Sequence, residues 1–271
     1  MSYTTFCDTH DFLLKPSENT LSFYIVYMCH YIQPSSIKSY LSGICVELEG
    51  AWPEIHTIRN SPFVSRCLSG CMKLHNTPSI RKRALTEEDL ILIQNSLPQP
   101  PSHDDKLFIA MTFTGWHCLM RLGELMDPDS TALCNFRKTI CRRSVHFHKD
   151  FCSPPSADRL FEGSTIVLEG RKNRLDPLSA FAQYLISHDH SFPHLPELWL
   201  TEKGTVPTRL WFLNHLHAVL PNENVSGHSL HSGGATALVL AGTPLPRIQL
   251  IGCWSSEAFL IYNIHPLHPP E

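Results

Sequence analysis

The sequence lacks the features that would place it in several large classes of protein. Its formal net charge is only −3, so overall charge does not favour a nucleic-acid partner. It has no apolar run of membrane-spanning length, because the most apolar stretch near the N-terminus covers only residues 24–32. The first residues are polar and do not resemble a secretory leader. We therefore expect an intracellular protein without a membrane segment.

A regular cysteine pattern is also missing. The ten Cys occur at irregular spacings, which favours reduced thiols over a disulfide framework. Cys67, Cys71 and His75 are spaced for one face of a helix, so zinc is conceivable there. No second Cys/His pair follows at the spacing of a zinc finger, and we therefore expect no metal.

Helical periodicity is present throughout the N-terminal quarter. With 271 residues, of which 42% are apolar, the chain can form one large or two modest domains. Ser35 or Ser36 is a candidate N-cap, and Pro62 is a candidate first helical residue. The apolar stripes predict three or four short helices, and their members are Leu21, Ile25, Met28 and Ile32, then Ile37, Leu41, Ile44 and Leu48, then Val64 and Leu68.

A basic, polar connector at 77–84 divides the chain into predicted domains 1–78 and 79–271. Thr86 and Asp89 then resemble a capping box, which predicts the start of a helix. That helix should end near a proline-rich break, and a longer helix should follow it. The connector is therefore the expected boundary between a small helical domain and a larger one.

Short strands interrupt the helices of the second domain. The segments 145–149, 165–169 and 197–200 are strand candidates, and 208–220 is a further helix candidate. The predicted fold is mainly α, with a helical N-terminal domain and an α-rich second domain. That second domain contains a small antiparallel β-sheet near 140–170.

Chemically useful side chains are concentrated near the C-terminus, in the blocks 227–234 (G-H-S-L-H-S-G-G) and 250–262 (L-I-G-C-W-S-S-E-A-F-L-I-Y). His228 and His231 lie three residues apart and share a face of a predicted helix that ends near Gly242. A short helix follows, and another is predicted to start at Ser255 and run to Tyr262. This pattern places polar side chains at three points of an apolar helical cluster, as in an active site.

A matching upstream segment has the sequence F-T-G-W-H-C-L-M-R-L-G-E-L, with Arg121 between apolar residues. Arg is almost never buried without a partner, so Arg121 taken alone is more often a structural residue that pairs with Glu124. Taken alone, Tyr262 would more often be an interface aromatic, Trp254 a core residue and His228 a polar residue at a helix N-terminus. The joint order of these residues is what favours a shared site.

Together these segments resemble the tyrosine recombinase (phage-integrase-type) family, and most closely its fungal mobile-element branch. That branch is characterised by G-H-S-[LM]-R-x-G-G-A-T-A-L, I-G-x-W-S-S-x-x-F-x-I-Y and L-x-R-x-G-E-L. This chain has G-H-S-L-H-S-G-G-A-T-A-L, I-G-C-W-S-S-E-A-F-L-I-Y and L-M-R-L-G-E-L. The resemblance spans most of residues 20–262, and its serious departure is at position 231, where the family has Arg and this chain has His231.

The resemblance implies DNA breaking and rejoining through a covalent 3′-phosphotyrosyl intermediate. Tyr262 would attack the phosphorus, and Arg121 would neutralise the phosphate with a planar fork of donors. His228 would assist proton transfer and phosphate binding, and Trp254 would pack where relatives carry His or Trp. The chemistry implied needs neither a metal nor a nucleotide cofactor.

Relatives also carry a Lys on a β-hairpin, in a segment H-K-A-D-[KR]-F-F-E-G. His148-Lys149 and A-D-R-L-F-E-G at 157–163 match its two parts, which a Pro-rich insertion at 150–156 separates. Lys149 is therefore the candidate acid that protonates the leaving 5′ oxygen, and Lys172 is a weaker candidate.

Double-stranded DNA is the partner that the resemblance implies, with self-association into the tetrameric synapse of the family and a nuclear location. The domain 1–78 would be the core-binding domain that clamps DNA, and 79–271 the catalytic domain. Two stretches without acidic residues, 56–85 and 131–149, contain six and five Lys or Arg. Such stretches are usually solvated faces. Here they supply the candidate DNA contacts Arg81, Lys82, Arg83, Arg142 and Arg143.

His231 leaves alternatives open. Imidazole is shorter than guanidinium, cannot form a two-pronged contact, and is cationic only in acid, near pH 6 for an unperturbed ring. Loss of one transition-state donor typically costs on the order of 10²–10³ in rate. One alternative is therefore a catalytically decayed mobile-element protein that still binds DNA. Another is a helical interaction protein without a DNA role, which the near-neutral charge permits.

Overall fold

The computed structural model describes most of the chain and divides it into two compact units, Met1–Ile80 and Arg81–Glu271. The described residues are 2–75, 82–135, 139–147, 151–153, 167–171, 175–221, 224–252 and 254, with side chains excluded at 147 and 151–153. Among them are twelve α-helices and one small antiparallel sheet. The prediction of a mainly α fold with such a sheet is therefore confirmed.

The first unit is a cluster of five described helices, where the apolar stripes predicted three or four. They are α1 (Tyr3–Thr9), α2 (Glu18–Met28), α3 (Pro34–Leu48), α4 (Ile55–Arg59) and α5 (Pro62–His75). Its core is formed by buried side chains from every helix, including Phe6, Leu21, Tyr24, Ile25, Ile37, Leu41, Ile55 and Val64. The helices without a predicted stripe are the short α4 and α1, whose Tyr3 and Phe6 pack edge-on against Tyr24.

Helix starts in this unit follow local chemistry. Ser17 caps α2, and its hydroxyl accepts a hydrogen bond from the Thr20 N–H. The expected cap of α3 at Ser35 or Ser36 is wrong, because Pro34 is already the first helical residue and Gln33 precedes it. A proline at that position loses no helical hydrogen bond, since the first N–H groups of a helix are unpaired in any case.

The second unit is built around α7 (His103–His117), whose residues 107–116 are all buried. Before it lies α6 (Glu87–Asn95), and after it the short α8 (Leu122–Leu125). The sheet strands are β1 (His146–Phe147), β2 (Phe151–Ser153) and β3 (Leu168–Glu169). The remaining helices are α9 (Pro177–Ser191), α10 (Arg209–Val219), α11 (Gly227–Leu240) and α12 (Leu245–Ile251).

The sheet has the order β1–β2–β3 with antiparallel neighbours. It lies in the region where the sequence predicts it. The strand expected at 197–200 is wrong: only an isolated bridge joins Glu197 to Cys141. Pairing stops there because Arg142 begins a turn of 3₁₀ helix, while its N–H donates to the carbonyl of Pro196.

No helix among the described residues has the length and apolar character needed to cross a membrane. The capping box predicted from Thr86 and Asp89 is present and begins α6. Helix α11 ends at Leu240, and Gly242 follows with a φ of 76°, a backbone conformation that glycine adopts without strain.

Candidate active site

The loop between α7 and α8 presents Arg121. Leu119 has a φ of 53°, which turns the chain after α7, and Arg121 immediately precedes the first residue of α8. The Glu124 carboxylate accepts two hydrogen bonds from Arg121, one from its backbone N–H at 2.9 Å and one from its guanidinium at 3.1 Å. The Arg121 side chain is 47% exposed. The guanidinium is thus oriented by Glu124 and still accessible to a ligand.

Helix α11 lies unusually close to its neighbours because glycines replace side chains at its contacts. A Cβ at Gly234 would lie 1.9 Å from the carbonyl oxygen of Trp116, and one at Gly233 would lie 2.1 Å from the carbonyl oxygen of Leu85. At Gly227 the obstacle would be the Leu122 side chain at 1.9 Å. The three glycines of the 227–234 block therefore allow α11 to contact α7 and α8 directly.

Two hydrogen bonds hold the chain before α6 between α11 and α7. The Leu85 N–H donates to the Ser229 carbonyl at 3.0 Å, and the Trp116 indole N–H donates to the Leu85 carbonyl at 3.1 Å. Leu85, Ser229 and Trp116 are all buried. Each hydrogen bond therefore pairs a donor and an acceptor that would be costly to bury unpaired. This contact fixes the start of α11 relative to the end of α7.

His231 is buried at this contact, with 1% of its surface exposed. Its Nδ1–H donates to the Leu119 carbonyl, in the turn that leads to Arg121. Burial lowers the pKa of His231 to about 4; the hydrogen bond to the Leu119 carbonyl opposes this shift, and the nearby charge of Arg121 adds to it. His231 is therefore neutral at pH 6, and the expectation that it becomes cationic near that pH is wrong.

His228 lies one turn earlier on α11 and is more exposed. The two imidazole ring centroids are 5.8 Å apart. Partial burial, together with the positive charge of Arg121, lowers the pKa of His228 below its ordinary value. His228 is thus a neutral imidazole next to a guanidinium at neutral pH, which suits hydrogen bonding and proton transfer.

Trp254 lies against the same cluster. Its ring meets that of His231 edge-on, with centroids 4.7 Å apart. The backbone after α12 is tight: the Trp254 N–H donates to the Gln249 carbonyl, and a Cβ at Gly252 would lie 2.4 Å from the Trp254 ring. Trp254 also packs with the small apolar group of Leu119, Ala235 and Ile248.

The structure thus brings together four residues that the sequence assigns to the site, namely Arg121, His228, His231 and Trp254. The predicted pairing of Arg121 with Glu124 is also present. Tyr262, Lys149 and Lys172, together with the expected helix from Ser255, lie outside the described residues.

Sequence reasoning missed two contributors to this cluster. The first is the Leu119 carbonyl, which orients His231. Every residue has a backbone carbonyl, so the sequence does not show which one accepts this hydrogen bond. The second is the close contact at Gly233 and Gly234. Paired glycines inside a helix pattern were the available signal, because each lowers helix stability and so needs a packing reason.

The candidate DNA-binding residues fall into two groups, and Arg81 lies outside the described part of the chain. Arg83 and Arg142 form two-pronged ion pairs with carboxylates. Lys82 and Arg143 are exposed, and neither forms an ion pair with a residue that the structure describes.

Each ion pair lowers the pKa of its carboxyl group. Burial alone would raise the pKa of Asp89, but hydrogen bonds from Arg83 and Thr86 outweigh it and hold the pKa below its ordinary value. Hydrogen bonds from Arg142 likewise lower the pKa of Asp189. These two arginines therefore have a structural role in the isolated chain, whether or not they also contact a ligand.

Among the described residues, no group of three or more His, Cys, Asp or Glu is arranged to hold a metal ion. This includes Cys67, Cys71 and His75, for which zinc was conceivable from spacing.

No family model matches the sequence, and no curated protein matches it either. Solved structures do share its fold. The XerH site-specific recombinase, bound to palindromic difH substrate in a post-cleavage complex, aligns with a TM-score of 0.61 at 12% identity over 94% of this chain and 68% of XerH.

Two further structures align over similar lengths. The Tn1549 transposon integrase in complex with circular intermediate DNA gives a TM-score of 0.60 at 16% identity, over 93% of this chain and 82% of the integrase. The XerA recombinase gives 0.52 at 14% identity, over 92% of this chain and 86% of XerA. At these identities the alignments establish a shared fold.

Proposed function

We propose that this chain, which has the fold of the tyrosine recombinases and integrases, breaks and rejoins double-stranded DNA with Tyr262 as the nucleophile. The observation that supports the proposal most strongly is the cluster of Arg121, His228, His231 and Trp254. An oriented, accessible guanidinium beside a neutral imidazole is suited to a phosphodiester, whose negative charge grows in the transition state.

The proposed reaction has two balanced steps. The Tyr262 oxygen attacks the phosphorus, the bond from phosphorus to the 5′ oxygen breaks, and a 3′-phosphotyrosyl bond forms. Lys149 is proposed to give a proton to the leaving 5′ oxygen, and His228 to assist proton transfer from the phenol. Attack by a 5′ hydroxyl on the phosphotyrosine then restores a phosphodiester and releases Tyr262.

His231 sets the expected rate. Because its pKa is about 4, the ring adds no positive charge at neutral pH, where the family position has a permanent cation. Cleavage by the unmodified chain should therefore be slower by roughly 10²–10³ than with Arg at this position. A catalytically decayed, DNA-binding descendant of a mobile element is the second candidate function, and the neutral state of His231 is the observation that favours it.

The DNA-binding surface, the cellular location and the self-association of the protein are also part of this proposal. DNA affinity would come from the stretches 56–85 and 131–149, where Lys82 and Arg143 are among the exposed cations that the structure describes. Affinity should then fall steeply with salt, because each neutralised phosphate releases a condensed counterion. We further propose a nuclear protein of the fungal mobile-element branch that self-associates on DNA.

A suicide DNA substrate that traps the phosphotyrosine tests the proposal. His231→Arg should raise adduct formation by about two to three orders of magnitude, and Tyr262→Phe should abolish it in both backgrounds. Circular dichroism and DNA binding of His231→Arg control for misfolding at this buried position. If that variant folds and binds DNA but remains inert, the decayed protein is the better description. Absence of DNA binding at low salt would instead favour the interaction protein.

A further inference from the structure

A cavity of about 330 Å³ lies beside α8 in the second unit. Its volume falls at the lower end of the range for small-molecule pockets and is far larger than the voids of a packed core. Among its lining residues, Leu125, Met126 and Trp199 are buried, whereas Leu133 and Arg209 are exposed. This α8 cavity therefore extends from the protein core to the surface, where a small molecule can enter it.

Backbone hydrogen bonds hold the walls of the α8 cavity together. The Asp127 N–H donates to the Pro207 carbonyl, and the Arg209 N–H donates to the Asp127 carbonyl, each at 3.1 Å. The carbonyl of Ile140, another lining residue, accepts a hydrogen bond from the Leu198 N–H at 2.7 Å. The cavity is therefore preformed, as sites for small molecules usually are.

Three polar groups in the lining have no partner among the residues that the structure describes. The Trp199 indole N–H is buried without an acceptor in that part of the chain, while Tyr184 and Phe181 hold the ring in place at centroid distances of 5.4 and 5.5 Å. The Asp127 carboxylate and the Arg209 guanidinium pair neither with each other nor with another described residue. Burial raises the pKa of the Asp127 carboxyl. A ligand that supplies partners for these groups would therefore be stabilised.

The charges of the lining select one class of ligand. Two carboxylates, those of Glu124 and Asp127, disfavour a phosphate or a nucleotide. A small molecule that carries both an ammonium and a carboxylate can pair with Asp127 and Arg209 at once. The buried side chains of Leu125 and Met126 in the same lining suit an apolar ligand side chain. An α-amino acid has all three features.

We propose that the α8 cavity binds a free α-amino acid with an apolar side chain, such as L-phenylalanine. Asp127 accepts hydrogen bonds from the ligand ammonium, and the Arg209 guanidinium donates to the ligand carboxylate. The Trp199 N–H is a further donor for that carboxylate. The ligand side chain packs against Leu125 and Met126 and leaves contact with water.

Helix α8 connects the cavity to the candidate active site. Glu124 lines the cavity and also accepts two hydrogen bonds from Arg121, at 2.9 and 3.1 Å. An ammonium bound at Asp127 attracts the Glu124 carboxylate and so competes with Arg121 for it. The amino acid therefore inhibits strand cleavage, a consequence that rests on the proposed function, whereas binding itself does not.

Isothermal titration calorimetry of the full chain with L-phenylalanine tests the binding. We expect one site per chain and a dissociation constant on the order of 0.1 mM for a ligand of this size. N-acetyl-L-phenylalanine lacks the ammonium and L-phenylalaninamide lacks the carboxylate, so each should bind about tenfold more weakly. The proposal is overturned if L-phenylalanine does not bind at about 10 mM, or if either analogue binds as tightly as L-phenylalanine.

Charge-removing variants test the two ionic contacts. Asp127→Asn and Arg209→Gln should each weaken L-phenylalanine binding about tenfold. Asp127→Asn should fold normally, because burial already disfavours the charge that it removes. Glu202→Gln and Lys203→Gln are the matched controls, since both residues are exposed and lie outside the lining. Binding by Asp127→Asn and Arg209→Gln as tight as by these controls would also overturn the proposal.

Adduct formation by His231→Arg on a suicide DNA substrate measures the inhibition. Saturating L-phenylalanine should lower the adduct yield about tenfold, and Asp127→Asn in the same background should abolish this response. An unchanged yield with L-phenylalanine bound contradicts the inhibition alone. Normal binding without adduct in any variant would instead contradict the proposed function and support the amino-acid site by itself.

Discussion

The contact between α11 and α7 makes a quantitative prediction for Gly234→Ala. The new Cβ would lie 1.9 Å from the Trp116 carbonyl oxygen, whereas ordinary contact begins near 3.4 Å, so the two helices must separate locally by about 1.5 Å. The obstacle is backbone, which cannot rotate away as a side chain can. Overpacking of this kind costs roughly 1–3 kcal/mol, and the intrinsic preference of helices for Ala offsets about 0.5–1 kcal/mol of it.

The net loss should be about 1 kcal/mol of unfolding free energy. Gly123→Ala is the matched control, because a Cβ there meets no atom within 4 Å. Urea unfolding followed by circular dichroism measures both variants. The reasoning is refuted if Gly234→Ala is as stable as Gly123→Ala.

The same displacement has a catalytic consequence. Moving α11 away from α7 also separates His231 from the Leu119 carbonyl and His228 from Arg121. A misplacement of about 1 Å at a reacting centre can reduce a rate by about a hundredfold. In the His231→Arg background, Gly234→Ala should therefore reduce adduct yield about a hundredfold. Gly123→Ala should leave the folding of the same background unchanged.

Three further predictions follow from the ion pairs and the buried imidazole. Glu124→Gln should reduce adduct formation about tenfold in the His231→Arg background without weakening DNA binding in a gel-shift assay, because Arg121 loses the charge that orients it. Arg83→Gln should lower the free energy of unfolding, measured in urea, by about 2 kcal/mol. Lys82→Gln should leave this free energy unchanged within about 0.5 kcal/mol. It should instead lower the slope of log DNA affinity against log salt concentration by about one unit. Stability should fall on acidification from pH 6.5 to about 4, because in this window His231 takes up a proton in the unfolded chain but not in the folded one. Burial lowers the pKa of His117 to about 3, so His117 adds to the same slope, and His231→Gln should reduce the slope without removing it in urea titrations across pH.

The parts of the fold that the sequence predicted are those fixed by local chemistry. The capping box at Thr86 and the proline at the start of α5 specify helix starts through hydrogen bonds between near neighbours. The segment 197–200 could not be predicted in this way. It has the composition of a strand, but its partner turns away after one bridge, and that turn lies far away in sequence.

The site shows the same division between local and long-range information. Motif order brought Arg121, His228, His231 and Trp254 under consideration together, and the structure places them in one cluster. The protonation of His231 was predicted wrongly, because it depends on burial by residues more than a hundred positions away. Spacing along a helix contains no information about that environment.

The hydrogen bond from His231 to Leu119 has an evolutionary consequence. Codons for arginine and histidine can differ by a single base, and both side chains offer an N–H donor to the Leu119 carbonyl. A lineage can therefore exchange one residue for the other in one mutational step while the carbonyl keeps its donor. A guanidinium is charged at any working pH and is costly to bury, whereas the buried His231 ring is neutral, so selection for folding alone favours His at this position. Position 231 is in this sense a place where the packing of the fold and the proposed strand cleavage favour different side chains.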